Sequence, residues 1–540
     1  MDLVLSLIIS LFLVFSFHIN FCGDIFGNIS ENTFSDFSFI SVIQFILLFL
    51  CLYFVFRFSH PFIDKVFHKL SVSCKVNTTC YLKLYFIGLA FMFVVYLVYT
   101  LSYLPGGIFH DTFTSMHEAE NNLYVSGNPP FFAILIKIFF KISKFLNYDY
   151  TFSMILFTMF QMLCLYVAVS LVMLWLLRKR INKVVYIFTF IFFVFFPLIP
   201  LYGISVWKDT WFCLCFLLWF VNVLEIWFSI DNSNIKLIYC LSYVVLSLLM
   251  CLFRISAIYV LIITSVLLII KSIKNKYRIT LFIIILIVPI VMYYLINSFF
   301  VVSVNGGLSK FILYNVVVQQ LAYAILNNVY IDDSSMELLS KLFNLDKLFD
   351  SFSPCYFDTL IINDCWNQTF CWVNKDRIIE VWSILLQDNP ILFLKEFLLN
   401  NLGFWDVFYG THNSYVQTDI NTASIYAGQY NITQTDYLDL LFGISLRDIL
   451  RPTFYFSPAI FCWPYLFIIS YLIKKHGCFS AFIFIPQIIV WAEYFFDTFI
   501  AFSLRYVSCN MFTLPFILIV PLLFIEFEGV HKLNNKISMT

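Results

Sequence analysis

Residues 237–278 read LIYCLSYVVLSLLMCLFRISAIYVLIITSVLLIIKSIKNKYR, two apolar runs that meet at Arg254 and end in a basic cluster. The stretch is either one long tilted helix or two crossings with Arg254 at the turn. The two readings place everything downstream on opposite sides of a membrane. Basic residues decide between them, because Lys and Arg beside short loops mark the cytoplasmic side. Lys65, Lys69 and Lys75 follow the second apolar run of the chain, and Arg178, Lys179, Arg180 and Lys183 follow the fourth. Lys271, Lys274, Lys276 and Arg278 follow the eighth, and Lys474 with Lys475 follows the tenth. All four clusters share one side only if 237–270 crosses twice.

Working outward, further runs long enough for ~30 Å of hydrocarbon fall near 2–20, 38–58, 83–102, 152–176, 184–200, 207–227, 279–299, 452–473, 479–499 and 507–526. The fold class expected is therefore an all-α polytopic membrane protein with about 12 transmembrane helices and both termini in the cytoplasm. The first run lacks the basic leader and small-residue cleavage site of a signal peptide, so it reads as a retained helix.

Composition agrees. Of 540 residues, 61% are hydrophobic and 12% charged, far from the ~45–50% and ~25% of soluble chains. The net charge is zero, and no basic block tracks a nucleic-acid backbone, so no nucleic-acid partner is expected. There is no Walker loop, Rossmann glycine pattern, zinc-spaced cluster or GxSxG elbow. Any chemistry belongs to the membrane module and its outer loops.

Two polar segments remain outside in this topology. Residues 103–151 contain LSYLPGGIFHDTFTSMHEAENNLYVSGNPPFF, then an amphipathic stretch with Lys137, Lys141 and Lys144 that reads as a shallow interfacial helix. Residues 300–451 hold sixteen acidic residues against eight Lys plus Arg. Helix is clearest at 376–405, where Ile378, Ile379, Trp382, Leu385 and Leu386 line one face until Pro390 interrupts it. Cys355, Cys365 and Cys371 in this region can supply one disulfide, with the pairing open. The organisation expected is an N-terminal accessory pair (1–60), a core (83–299) carrying the outer loop, a mainly helical extracytoplasmic region (300–451), C-terminal helices (452–526) and a cytoplasmic tail (527–540).

Charges at the outer membrane face need explaining. Asp111 follows Pro105–Gly106, which ends a helix; it reads as a helix-capping acid, or as a carboxylate that activates a nucleophile or holds a metal ion. His110, His117 and Glu118 are weaker contacts, with no HExxH spacing. Lys208 and Asp209 open a membrane segment and are costly if they face lipid. Arg254 is a rigid phosphate fork or a counter-ion for Asp209. Arg505, with Tyr506 beside it, adds a second cation at the same level. Carboxylates and cations above an apolar body complement a polyprenyl phosphate carrying a sugar. A flippase or secondary transporter, and a non-enzymatic scaffold or glycan-binding protein, are the competing readings.

The stretches YLPGGIFHDTFTSMHEAENN, GNPPFFAILIKIF, GISVWKDTWF, LFRISAIYVL, QQLA, VWSILLQDNPILFLKEFLLNNLGFW and LRYVSCNMFTLPFILIVPLL resemble a bacterial multi-pass family labelled DUF6020, which itself looks like the GT-C class of membrane glycosyltransferases. The resemblance implies a GT-C-like fold in the bacterial cell membrane. It implies transfer from a polyprenyl-phosphate-linked sugar to a glycan or lipid acceptor at the extracytoplasmic face. It carries catalysis onto Asp111 and Asp209, with Mg²⁺ or Mn²⁺ as a metal they could hold. Arg254 and Arg505 become phosphate contacts; the residues themselves add Lys208 and Tyr506 as phosphate contacts and His110 and Glu118 as sugar contacts.

Overall fold

The computed structural model describes residues 2–19, 37–72, 78–125, 129–230, 235–273, 275–303, 313–408, 416, 418–422, 424–449, 456–496 and 503–539; Lys75 and Lys274 lie outside them. It is a helical, multi-pass membrane protein. The first twelve helices are α1 (Asp2–Phe17), α2 (Phe39–Val72), α3 (Thr78–Tyr103), α4 (His110–Asn121), α5 (Pro130–Phe145), α6 (Tyr150–Arg178), α7 (Lys183–Phe195), α8 (Leu198–Ile204), α9 (Lys208–Ile230), α10 (Leu237–Phe253), α11 (Ala257–Lys271) and α12 (Lys276–Phe300).

Among the described residues seven helices are long and apolar enough to cross a membrane, or eight if the bent pair α7–α8 is one span. Four of the twelve expected runs are shorter. They form α1, α10, α11 and the fourteen-residue Trp463–His476 helix. The two halves of 237–271 nevertheless fold back on each other about Arg254. Tyr243 and Ser265, eleven residues to either side, hydrogen-bond at 2.9 Å.

Helix α9 is apolar all round, as a central helix must be, and 72% of its apolar window is buried, against 11% for Phe39–Ser71 at the periphery. Its two ends, about 33 Å apart at 1.5 Å per residue, show how charge is arranged. At the far end Lys271 donates to the Trp227 carbonyl (2.7 Å), Arg278 to that of Ile230, and Lys179 pairs with Glu225 (2.7 Å). Lys208 and Asp209 open the near end. Described members of two of the four basic clusters thus meet at one end of α9, opposite Lys208 and Asp209.

The N-terminal helix pair is tied to the last helices. Asp2 meets Lys474 (3.1 Å) and His60 (3.4 Å), Ser470 lies 3.4 Å from His60, and Asp64 pairs with Lys475 (2.8 Å).

Residues 376–405 form Lys375–Asp388 and Pro390–Asn400, with Pro390 starting the second helix, then Leu402–Trp405. The buried face of the first is Ile378, Val381 and Leu385, whereas Ile379 is exposed, because the face turns on the i, i+3, i+7 row. Cys355, Cys365 and Cys371 are buried free thiols. The Cys355 and Cys365 thiols donate to the Leu399 and Asn344 carbonyls.

Glu396 lies in this region, 1% exposed, and its Oε1 has no partner among the described residues. Burial pushes its carboxyl well above the ordinary carboxylate range, and the Gln320 amide offsets this only in part. Its contribution to stability is therefore present below the ordinary value of ~4.3 and is lost as pH rises through the folded value. Glu396→Gln is expected to raise the thermal midpoint at pH 7, removing a cost on the order of 1–3 kcal/mol, and to flatten its pH dependence. A midpoint lowered at every pH would show instead that the carboxyl is stabilising.

Candidate functional site

The loop before α4 is built by a tight backbone crossing. Gly106 has φ +110°, a region that side-chain-bearing residues rarely adopt. A Cβ there would lie 2.5 Å from Thr158 Oγ1 and 2.7 Å from the Ile204 carbonyl oxygen. The next residues pair on both sides. Gly107 bridges Ser205, and Val206 N donates to Gly107 O (2.9 Å). Ile108 bridges Ile420, and Asn421 N donates to Ile108 O (2.8 Å). From below, Gln161 Nε2 reaches the Gly203 and Ser205 carbonyls at 2.8 and 2.7 Å, and Thr112 Oγ1 donates to Val206 O at 2.5 Å. This network sets α4 directly beside the start of α9.

Phe109 caps α4, so Asp111 is a first-turn acid and not the N-cap. Its Oδ2 accepts from Arg505 Nη1 at 3.0 Å, and the same guanidinium lies 4.0 Å from Asp209 Oδ2. Arg254 Nη1 is 3.6 Å from Asp209 Oδ1. Lys208 acts electrostatically on both carboxylates. Four of the expected residues, Asp111, Asp209, Arg254 and Arg505, are thereby linked through contiguous ion pairs, with Lys208 and Tyr506 at their side.

The two arginines differ. Arg254 is buried; its Nε donates to Tyr494 Oη (2.7 Å) and its Nη1 to Tyr506 O (3.0 Å). The guanidinium carbon also lies 4.4 Å from the Tyr494 ring centre and 5.2 Å from that of Phe212. The Leu504–Thr513 helix is kinked at Val507 (φ −112°, ψ 15°), and Arg254 supplies a donor to the carbonyl preceding that break. Arg505 is more open: its side chain is 14% exposed and that of Asp111 37%. Arg505 Nη2 donates to Tyr506 Oη at 3.3 Å, and Phe109 lies under the guanidinium at 5.3 Å.

Burial alone would raise the Asp111 carboxyl, but Arg505 above all, with Lys208 and His110, holds it below the ordinary carboxylate value. His110 is exposed beside it. Glu118 is buried beside Tyr124, and His117 stacks on Tyr426 at 4.2 Å. Among the described residues no three or more His, Cys, Asp or Glu gather as a metal centre. Both Asp111 and Asp209 face Arg505, so a divalent cation between them would meet a guanidinium.

Sequence reasoning missed Tyr494, whose ring stacks on Tyr506 at 4.7 Å and 6° and whose hydroxyl anchors Arg254. Its neighbour Glu493 was visible as a charge in an apolar run, whereas a tyrosine there looks like any membrane-belt aromatic.

No curated protein and no solved structure matches the chain. The family match covers residues 125–438, which include Lys208, Asp209 and Arg254 but leave Asp111 and Arg505 outside. With more than half of its 540 residues matched, the chain belongs to DUF6020, a family of unknown function.

Proposed function

We propose that the protein is a membrane glycosyltransferase that moves a sugar from a polyprenyl-phosphate donor to an acceptor hydroxyl at the extracytoplasmic face. The observation that carries this reading is the convergence of Asp111, Asp209, Arg254 and Arg505 at one end of an apolar bundle, opposite the basic end. The positive-inside rule supports a cytoplasmic basic end, and this reading takes the cluster and residues 300–451 to lie on the other side.

In the proposed reaction the acceptor oxygen bonds to the sugar's anomeric carbon as the bond from that carbon to the phosphate oxygen breaks. The acceptor proton passes to the Asp111 carboxylate and then to water. The prenyl phosphate leaves with one more negative charge than it had as a diester, and that developing charge is where cations act most. Arg505 and Lys208 meet it, with Tyr506 Oη alongside. Arg254 uses its Nε and Nη1 on Tyr494, Tyr506 and Asp209, so its role is to position them. His110 is at the open edge, where a sugar hydroxyl would approach, and Glu118 lies two turns beyond Asp111 on the same helix.

The test is transfer of radiolabelled sugar from a panel of polyprenyl-phosphate donors to membrane acceptors, with Asp111→Asn protein at equal abundance as control. A product that needs the wild-type chain supports transfer, and none from any donor overturns it. Because the carboxylates already face guanidinium, the product is expected to form at an undiminished rate after exhaustive EDTA treatment; loss restored by Mg²⁺ or Mn²⁺ would return the two aspartates to a metal role.

A further inference from the structure

An open surface cleft of about 900 Å³ lies between residues 340–346 and 361–368. Its floor is fixed by cross-bonding. Asn344 N donates to Cys365 O (2.7 Å), Asn367 N donates to Leu342 O (2.8 Å), and Phe343 bridges Trp366. Leu342, Phe343 and Cys365 are buried beneath it. On the lining, the Asn344 side chain makes no capping bond to its helix, and Trp366 is half-buried with its ring set edge-on against Phe357 at 5.4 Å.

Asp364 is the informative position. The Asp358–Ile362 helix ends with Cys365 N donating to Leu360 O (2.9 Å), the wrap usually closed by a glycine. Asp364 occupies the left-handed position at φ +54°. The residue also puts a negative charge at a helix C-terminus, where the dipole opposes it. Glycine would suit the backbone better on both counts, and the Asp364 carboxylate lies on the lining of the cleft.

We propose that this cleft binds a neutral, hydroxyl-rich glycan, which under the transferase reading is the acceptor. Carboxylate and amide groups pair with neighbouring hydroxyls, and an aromatic ring covers a sugar's apolar face. The cation on the lining, Lys341, is engaged by Glu337 at 2.6 Å, and Asp346 and Asp364 add negative charge. An anionic ligand is therefore disfavoured.

The experiment uses full-length protein in lipid nanodiscs and saturation-transfer NMR with maltotriose, chitotriose and laminaritriose as probes. At least one trisaccharide is expected to bind, and Asp364→Gly to weaken it at least about tenfold without lowering the thermal midpoint. That pairing separates ligand contact from folding, since glycine relieves the backbone. No binding by any of the three, or binding unchanged in both Asp364→Gly and Asn344→Ala, overturns the proposal, as does binding of a lysine-rich peptide in their place. Because the readout is binding, Asp111→Asn protein is expected to bind normally. Failed transfer with intact binding would count against the transferase reading and leave the cleft standing.

Discussion

Asp111→Asn protein is expected to transfer sugar about 10²–10⁴-fold more slowly than wild type, the range carried by a positioned general base, with yield and thermal midpoint nearly unchanged. Asparagine keeps the shape and an oxygen for Arg505 Nη1, now 3.0 Å from Asp111 Oδ2, but cannot accept the acceptor's proton. The pH profile sharpens the test. Burial raises the Asp111 carboxyl and Arg505, Lys208 and His110 more than reverse it, so the base form persists as pH falls to the ordinary carboxylate value of ~3.9 and disappears only below it. Wild-type kcat/KM is expected to stay flat from neutral pH through that range. In Arg505→Gln the counter-charge is gone and burial remains, so the acid limb moves to higher pH, together with a loss of donor affinity. A wild-type limb near neutrality that Asp111→Asn leaves in place would assign the base to another residue.

Gly106→Ala is expected to have the largest effect on folding. The left-handed backbone costs a residue with a Cβ about 1–2 kcal/mol, and forcing the neighbours apart a further ~1–3. Relief is limited because one neighbour, 2.7 Å from the new Cβ, is the backbone oxygen of Ile204. The total, about 2–5 kcal/mol, should appear as a markedly lower thermal midpoint in detergent and reduced yield. A midpoint matching wild type would mean that the α4 loop does not cross the 203–206 segment as described.

Much of this architecture is legible in the sequence because lipid simplifies the code: apolar length marks helices. The hairpin about Arg254 follows from where the lysines fall, and the Gly106 turn from Pro105–Gly106. Partners were harder to read. Asp111 and Arg505 are 394 residues apart, and nothing in either local context says that they touch. The distinction between Arg254 and Arg505 depends on a kink at Val507 and on a tyrosine stack, neither of which leaves a periodic signal. Helix length misled too: Ala257–Lys271 has fifteen residues, short for a span, yet it still returns the chain to the basic end.

The polar contacts that join the first helices to the Trp463–His476 helix bear on how the chain is made. Asp2 emerges from the ribosome 472 residues before Lys474, and His60 410 residues before Ser470. Until then Asp2 and His60 have each other, 3.4 Å apart, but not the cation that completes the contact. The amino-terminal pair therefore completes its polar contacts only late in synthesis, and a chain truncated before residue 463 lacks Ser470 and Lys474 altogether.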